Sequence, residues 1–297
     1  MGTEKLKCAT VSVIGRPSCG KSTFLNSICE NKVAITSPVP QTTRNRIKGI
    51  YTDVRGQLVF IDTPGLHDNK AELNRRLREI AVTALRENDL VLYMIDATRA
   101  PGPEERDVSR MAAQCGRPVV ICVNKKDLAT QEQIDRTLEY LAEVLPGNTP
   151  LVASALEDSG LDEVLIALFA AAPQAPLLYP GEEFTDQDLD FRVSEIIREK
   201  AMEGMRAELP HSVFVEVEDL QMTDDGLLLI RAAINVERDS QKGIIVGSGG
   251  SNIKRIRTEA AKDIRRIFPG RRLNLDIRVK VSPNWRRNQS LLKSMIK

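Results

Sequence analysis

The run Gly15-Arg16-Pro17-Ser18-Cys19-Gly20-Lys21-Ser22, with Thr23 behind it, sets two glycines five positions apart and follows them with an ammonium and a hydroxyl. Glycines at that spacing let backbone amides turn inward around phosphate oxygens, and a helix opening near Lys21 aims the positive end of its dipole at them. Lys21 is expected against β- and γ-phosphate oxygens, and the Ser22 hydroxyl as a magnesium ligand. Asp62-Thr63-Pro64-Gly65, followed by Leu66, adds a carboxylate at the end of an apolar run, within reach of the same magnesium shell through water. The Gly65 amide is expected on a γ-phosphate. Between these segments, Gln41-Thr42-Thr43-Arg44 offers hydroxyls that complete the magnesium shell when a γ-phosphate is present, Thr43 being the preferred ligand and Thr42 the next. Lys21, Thr43 and Gly65 are thus the groups expected to act on the reacting phosphate.

A base-reading set follows in the order such a site requires. In Asn124-Lys125-Lys126-Asp127, the Asp127 carboxylate can accept from the N1-H and N2-H2 donors that guanine has and adenine lacks. A buried carboxylate facing adenine would be left unpaired, which is costly enough to exclude ATP. Asn124 is expected to bond the base edge and brace the phosphate loop, with the stem of Lys125 over the ring. In Ser154-Ala155 the Ala155 amide is expected to donate to guanine O6.

These loops need a frame. Apolar, β-branched runs at Ala9 to Ile14, Leu58 to Ile61, Leu90 to Ile95, Pro118 to Val123 and Pro150 to Val152 alternate with helical patterns, which predicts a mostly parallel sheet covered on both faces. Each candidate loop follows one of these strands, where an open parallel sheet presents its ligand loops. The Pro- and Gly-bearing stretch Pro173 to Gly181 closes this unit. The predicted organisation is a nucleotide domain over 1–172, a linker over 173–190 and a second domain over 191–297. In the second domain, Phe191 to Leu209 has helical spacing, Ser212 to Val217 and Leu227 to Val236 form a hairpin about Asp224-Asp225-Gly226, and helices flank Gly247 to Gly250. A last strand turns Leu273, Leu275, Ile277, Val279 and Val281 inward, giving an α-β-β-α-α-β order.

At 297 residues the chain can hold two cores. The net charge of +1 hides a split, because residues 241–297 carry 15 Lys and Arg against 3 Asp and Glu, a local +12. That end is the candidate polyanion surface. Five cysteines (Cys8, Cys19, Cys29, Cys115, Cys122), odd in number and without metal-ligand spacing, argue against a disulfide scaffold or zinc site and for a reducing cytosol. The longest apolar run, Val164 to Ala172, is too short to span a bilayer, the N-terminus lacks a signal-peptide layout, and Leu6 stands where myristoylation wants Ser or Thr.

Gly247-Ser248-Gly249-Gly250 between two helical segments has the form of a bend that brings protein backbone against nucleic-acid backbone and clamps about four nucleotides. Ile244, Ile245, Val246 and Ile253 are expected beneath the bases, with Lys254 and Arg255 supplying charge one turn on. Arg257, Arg265, Arg266, Arg271 and Arg272 crowd the same region and predict steep salt dependence. Trp285, the only tryptophan, is expected to anchor the C-terminal segment in the core rather than stack on a base.

The nucleotide motifs together resemble those of the translation-factor-related P-loop GTPases, and their union with one C-terminal KH-like module is similar to the Era family of bacterial ribosome-assembly GTPases, over nearly the whole chain. The resemblance implies a P-loop GTPase domain followed by a smaller α+β type II KH domain, and a magnesium-dependent cycle between GTP and GDP. It also implies binding to 16S rRNA near its 3′ end, a role in maturation of the 30S subunit, and a cytoplasmic location with partial association with the cytoplasmic membrane; a monomer and no DNA partner are expected. Two departures stand out. Ser18 occupies the place of an Asn that in related enzymes helps hold a potassium ion, which leaves potassium activation open, and the KH loop lacks the lysine often found between its glycines. Ras-like enzymes place Gln where this chain has Leu66, so intrinsic hydrolysis should be slow, with His67 read as an ordinary loop residue. A different class, in which the basic end recruits the protein to anionic lipid, lacks a long amphipathic face rich in aromatics.

Overall fold

The computed structural model describes residues 6–34, 47–62, 85, 87–203, 213–283 and 285. They form two compact units, Met1–Asp186 and Gln187–Lys297.

The first unit is built on β1 (Lys7–Ile14), α1 (Lys21–Ile28), β2 (Ile47–Asp53), β3 (Gly56–Asp62), β4 (Leu90–Asp96), α2 (Pro103–Gln114), β5 (Val119–Asn124), α3 (Gln131–Val144), β6 (Leu151–Val152) and α4 (Leu161–Ala171). The sheet order is β2-β3-β1-β4-β5-β6, parallel throughout except for β2 against β3. Strand β4 shows why its sequence is continuously apolar. Leu90, Leu92 and Met94 enter one core with Phe24 and Leu25 of α1 and Leu165 and Leu168 of α4, while Val91, Tyr93 and Ile95 enter the other with Val108 of α2 and Leu141 of α3.

Helix starts are set by local chemistry. Pro103 opens α2 at a position where no amide is needed, with Glu104 and Glu105 in its first turn. Thr130 and Gln133 close a capping box on α3.

Strand β2 is not among the runs expected from the sequence. It lies at the sheet edge, and its pattern mixes buried Ile47, Gly49 and Ile50 with half-buried Lys48, Thr52 and Asp53, so neither alternation nor a continuous apolar run marks it. Residues beyond α4 run along this edge. The Ile50 amide donates to the Phe184 carbonyl (2.9 Å), and Gln57, fully buried, accepts from the Leu178 and Tyr179 amides.

The second unit runs α5 (Leu189–Met202), β7 (Phe214–Met222), β8 (Leu227–Val236), α6 (Asp239–Val246), a 3-10 turn (Ser248–Gly250), α7 (Ser251–Ile267) and β9 (Arg272–Val281), in the expected α-β-β-α-α-β order. Its sheet is β7-β8-β9, with β7 antiparallel and β9 parallel to β8. Helices α5 and α7 cover one face through Val193, Ile196, Ile197, Ile256, Ala260 and Ile264. Trp285 is only 5% exposed and packs on Phe214 at 4.8 Å between ring centroids, as an anchor.

Candidate functional site

Strands β1, β3, β5 and β6 end on the same edge of their sheet, and each is followed by, or ends in, one of the candidate motifs. The first loop is closed by its own lysine. Lys21, 7% exposed, donates from Nζ to the carbonyls of Gly15 (3.0 Å) and Arg16 (3.1 Å). Gly20, at φ 105, starts α1 in a left-handed conformation that a side chain resists, and a Cβ there would collide with Asn124 Nδ2.

Asp62 ends β3 fully buried, and the Ser22 hydroxyl donates to its Oδ2 at 3.1 Å. A hydroxyl and a carboxylate side by side at the mouth of a phosphate loop form an all-oxygen donor pair of the kind magnesium takes. The two expected ligands that can be placed are therefore together. Thr42, Thr43, Thr63, Pro64, Gly65 and Leu66 lie outside the described residues, as do Gln41, Arg44 and His67. Among the described residues no cluster of three or more His, Cys, Asp or Glu side chains could hold a metal by itself, so phosphate oxygens and water would have to complete such a shell.

Asn124 is the brace between loops. Its Nδ2 donates to the Cys19 carbonyl (2.8 Å) and its Oδ1 accepts the Ala155 amide (2.9 Å), so one buried amide ties the phosphate loop to the loop after β6. Asn124 thus braces the phosphate loop with both ends of its buried carboxamide bonded. Ser154 closes its own loop by exchanging backbone hydrogen bonds with Ser159 and accepting the Glu157 amide on Oγ. The Ser27 hydroxyl holds the Ala155 carbonyl from α1 at 2.8 Å.

Lys125 sits at φ 68 and sends its Nζ to Asp96 Oδ2 at 2.7 Å, with Asp96 only 1% exposed at the end of β4. The ammonium is thereby fixed at the end of β4. The Lys126 amide pins the segment to the Ala153 carbonyl. Asp127 differs from its neighbours, because its Oδ1 is shut off from water and has no hydrogen-bond partner among the described residues. A carboxylate oxygen in that state is costly, and donors such as those of guanine N1 and N2 would satisfy it.

Arg16 turns away from the phosphate side. Its guanidinium is ion-paired with Glu105 and donates to the carbonyls of Arg99 (3.2 Å) and Ala100 (3.4 Å), so its contribution to a ligand is confined to its main chain. Pro17 lends its carbonyl to Arg99 (3.2 Å), and Ser18 is exposed at φ 61. Cys19 is fully buried, and burial pushes its thiol up, so it stays protonated. Asp96, Arg99 and Glu105 were missed in the sequence. Asp96 closes an apolar strand as Asp62 does, which was a usable signal; the burial of Glu105 left none.

In the second unit Gly247 ends α6 at φ 73, Gly249 lies at φ 57 and Gly250 starts α7 at φ 78. A Cβ on Gly247 would come within 2.8 Å of Asn252 Cβ, whereas one on Gly249 would meet nothing within 4 Å. The bend therefore presents bare backbone outward. Ser248 and Lys254 are exposed. Arg255 is not available in the same way. Its guanidinium holds the Lys200 and Glu203 carbonyls (3.1 and 3.0 Å) and pairs with Glu259 (2.7 Å), clamping α7 to the end of α5. Ile245 belongs to the core, leaving Ile244, 47% exposed, with Val246 and Ile253 as the apolar surface beside the bend.

The comparisons with known proteins agree with both halves of this description. The family model of a 50S ribosome-binding GTPase matches residues 10–125, and that of the KH domain matches residues 208–286. The GTPase Era of Treponema denticola is 42% identical over 98% of this chain and 99% of its own length, and that of Heliobacterium modesticaldum is 40% identical over 98% and 97%. Among solved structures, an Aquifex aeolicus Era variant bound to GDP·AlF4− superposes with a TM-score of 0.90 at 33% identity, covering 97% of this chain and 98% of that one. Era in complex with MgGDPNP and nucleotides 1506–1542 of 16S ribosomal RNA gives 0.89 at 33% identity with the same coverage. With a glycine-rich loop opening α1, the Asn124 to Asp127 segment and a glycine bend set in one order along chains that match from end to end, this protein belongs to the Era family of GTPases.

Proposed function

We propose that this chain binds GTP at the edge of its first sheet and 16S rRNA near the 3′ end through its second unit, and that hydrolysis of GTP to GDP and phosphate times its departure from the maturing 30S subunit. The observation that carries the nucleotide half is the buried, unbonded Oδ1 of Asp127, three residues after the Asn124 that is bonded to the closed phosphate loop. The RNA half is supported by the outward glycine bend on a basic unit and by the RNA-bound Era structure that this chain resembles over its full length.

The nucleotide contacts proposed are Gly15 to Thr23, Asp62 to Leu66, Asn124 to Asp127 and Ser154-Ala155. In this reading Lys21 leaves the loop carbonyls for the β- and γ-phosphates, where its charge and the loop amides oppose the charge that develops as the phosphoryl group is transferred to water. Ser22, Thr43 and Asp62 would hold magnesium, which would supply further positive charge against the same phosphates. Thr43 and the Gly65 amide complete the contacts to the γ-phosphate. Leu66 can neither donate to nor accept from water, so intrinsic turnover is slow and contact with the ribosomal particle is what accelerates it. The domain assignment proposed is 1–172 as the nucleotide domain and 191–297 as the KH domain; of the connecting stretch 173–190, residues to Asp186 pack with the first unit rather than forming a bare linker, and Gly247 to Gly250 and Lys254 contact RNA.

Three finer points belong to the same reading: a monomer, peripheral contact with the cytoplasmic membrane, and a potassium response governed by Ser18. Liposome flotation and turnover in potassium against sodium salts, with Ser18→Asn alongside, measure the last two. The deciding experiment compares GTP turnover with and without 30S particles. Faster turnover with the particle supports the switch; equal turnover refutes it.

A further inference from the structure

Beneath the phosphate loop lies a charge pair that the proposed chemistry does not use. Glu105 in the first turn of α2 is fully buried, and Arg16, the second residue of the loop, is 4% exposed. Arg16 Nε faces Glu105 Oε2 as an ion pair, and the Tyr93 hydroxyl donates to Glu105 Oε1 at 2.6 Å. Burial and the neighbouring carboxylate push the Tyr93 hydroxyl up, so it remains a donor. The other guanidinium nitrogens donate to the Arg99 and Ala100 carbonyls, and Arg99 Nη1 reaches back to the Pro17 carbonyl at 3.2 Å. Two adjacent residues of the loop are thus tied to the segment between β4 and α2.

The position of Arg16 matters because its own carbonyl accepts from Lys21 Nζ (3.1 Å) and from the Cys19 amide (3.3 Å). The same residue is tethered at its side chain and carries the lysine and the turn at its main chain. We infer that Glu105 is a positioning residue for nucleotide binding, which acts through Arg16 to set the phosphate loop that Lys21 and the loop amides use. A buried charge pair contributes little net stability against an apolar pair of similar size, while loss of one partner leaves the other charge stranded. A role in placing the loop therefore separates from a role in holding the fold, because replacing both partners removes the stranded charge, and with it part of the stability loss, without restoring the loop.

The inference rests on the GTPase reading, and the experiment keeps the two apart. Glu105→Gln and the double variant Arg16→Met with Glu105→Leu are compared with the parent for KM and kcat with GTP, for the dissociation constant of a fluorescent GDP, and for thermal midpoint. Glu105→Gln should lower the midpoint and raise both KM and the GDP dissociation constant by about tenfold or more, since small misplacements of binding groups are costly, with kcat at saturation changed far less. The double variant should recover part of the midpoint lost by Glu105→Gln, because no charge is left stranded, and keep the weak nucleotide binding. Recovery of nucleotide affinity together with stability would make the pair merely structural and overturn the inference, as would a folded Glu105→Gln that binds GDP like the parent. Failure of the parent itself to bind GDP or GTP would instead refute the GTPase reading.

Discussion

In the first unit, the loops at the sheet edge are tied to one another by buried side chains: Asn124 joins the phosphate loop to Ala155, Lys125 is held by Asp96, and Arg16 is held by Glu105. In the second unit, the bend from Gly247 to Gly250 rests on Asn252 at one end and meets nothing around Gly249. The difference follows from what each would grip. A small, highly charged ligand must be met by several groups held in place beforehand, so their positions are fixed by a dry polar network. A nucleic-acid strand offers a repeating backbone, and a loop stripped of side chains lets protein approach it closely while scattered charges add affinity. Damage to the first region should be severe and selective for nucleotide; damage to the second should be graded and selective for RNA.

The largest expected effect is that of Lys21→Ala. The closed loop loses the ammonium that now spans two carbonyls and is proposed to reach the phosphates, so GDP and GTP loading should fall below detection in an equilibrium binding assay while RNA binding by the second unit persists. If the loop alone loads nucleotide, the picture of interlocked side chains fails. Next in size is Trp285→Ala. With the indole buried on Phe214, truncation should cost about 3 kcal/mol of stability in the second unit, read as a lower denaturation midpoint that leaves GDP affinity intact. A stable variant with weakened RNA binding would move Trp285 from anchor to base-stacking group.

Smaller, and the sharpest between the two regions, is Gly249→Asp. Aspartate tolerates a left-handed backbone better than most residues, and the space around Gly249 is open, so the fold should survive. Its side chain would stand between the two backbones and repel phosphate. Affinity for a 16S 3′-end oligonucleotide should drop on the order of tenfold, a 1.4 kcal/mol effect, with GTP binding unchanged. Equal RNA affinity would place the RNA surface elsewhere on the basic unit.

What could be read in the sequence divides along the same line. Strands β1, β3, β4, β5 and β8 are legible because they are buried on one or both faces and their apolar content shows it. The Asp62, Asn124 and Gly247 loops are legible because their chemistry demands particular residues at particular spacings. Edge strand β2 is not, since half-buried positions accept Lys48 and Thr52 as readily as apolar residues. Nor is the direction of a long charged side chain. Arg16 and Arg255 both look like ligands for phosphate by position, yet each is turned inward to a carboxylate and to backbone carbonyls. The main-chain hydrogen bonds that each satisfies are set by tertiary neighbours far along the chain, which local spacing cannot report.

The central claim is that Asp127 selects guanine. Competition of GTP, ATP and xanthosine triphosphate for the same site, on the parent and on Asp127→Asn, tests it directly. The parent should prefer GTP over ATP by at least about 10⁴-fold, as sites that hydrogen-bond a base edge do, and the variant should shift its preference from GTP towards the xanthine nucleotide. A parent that holds ATP as tightly as GTP, or a variant that keeps the guanine preference, would contradict the account.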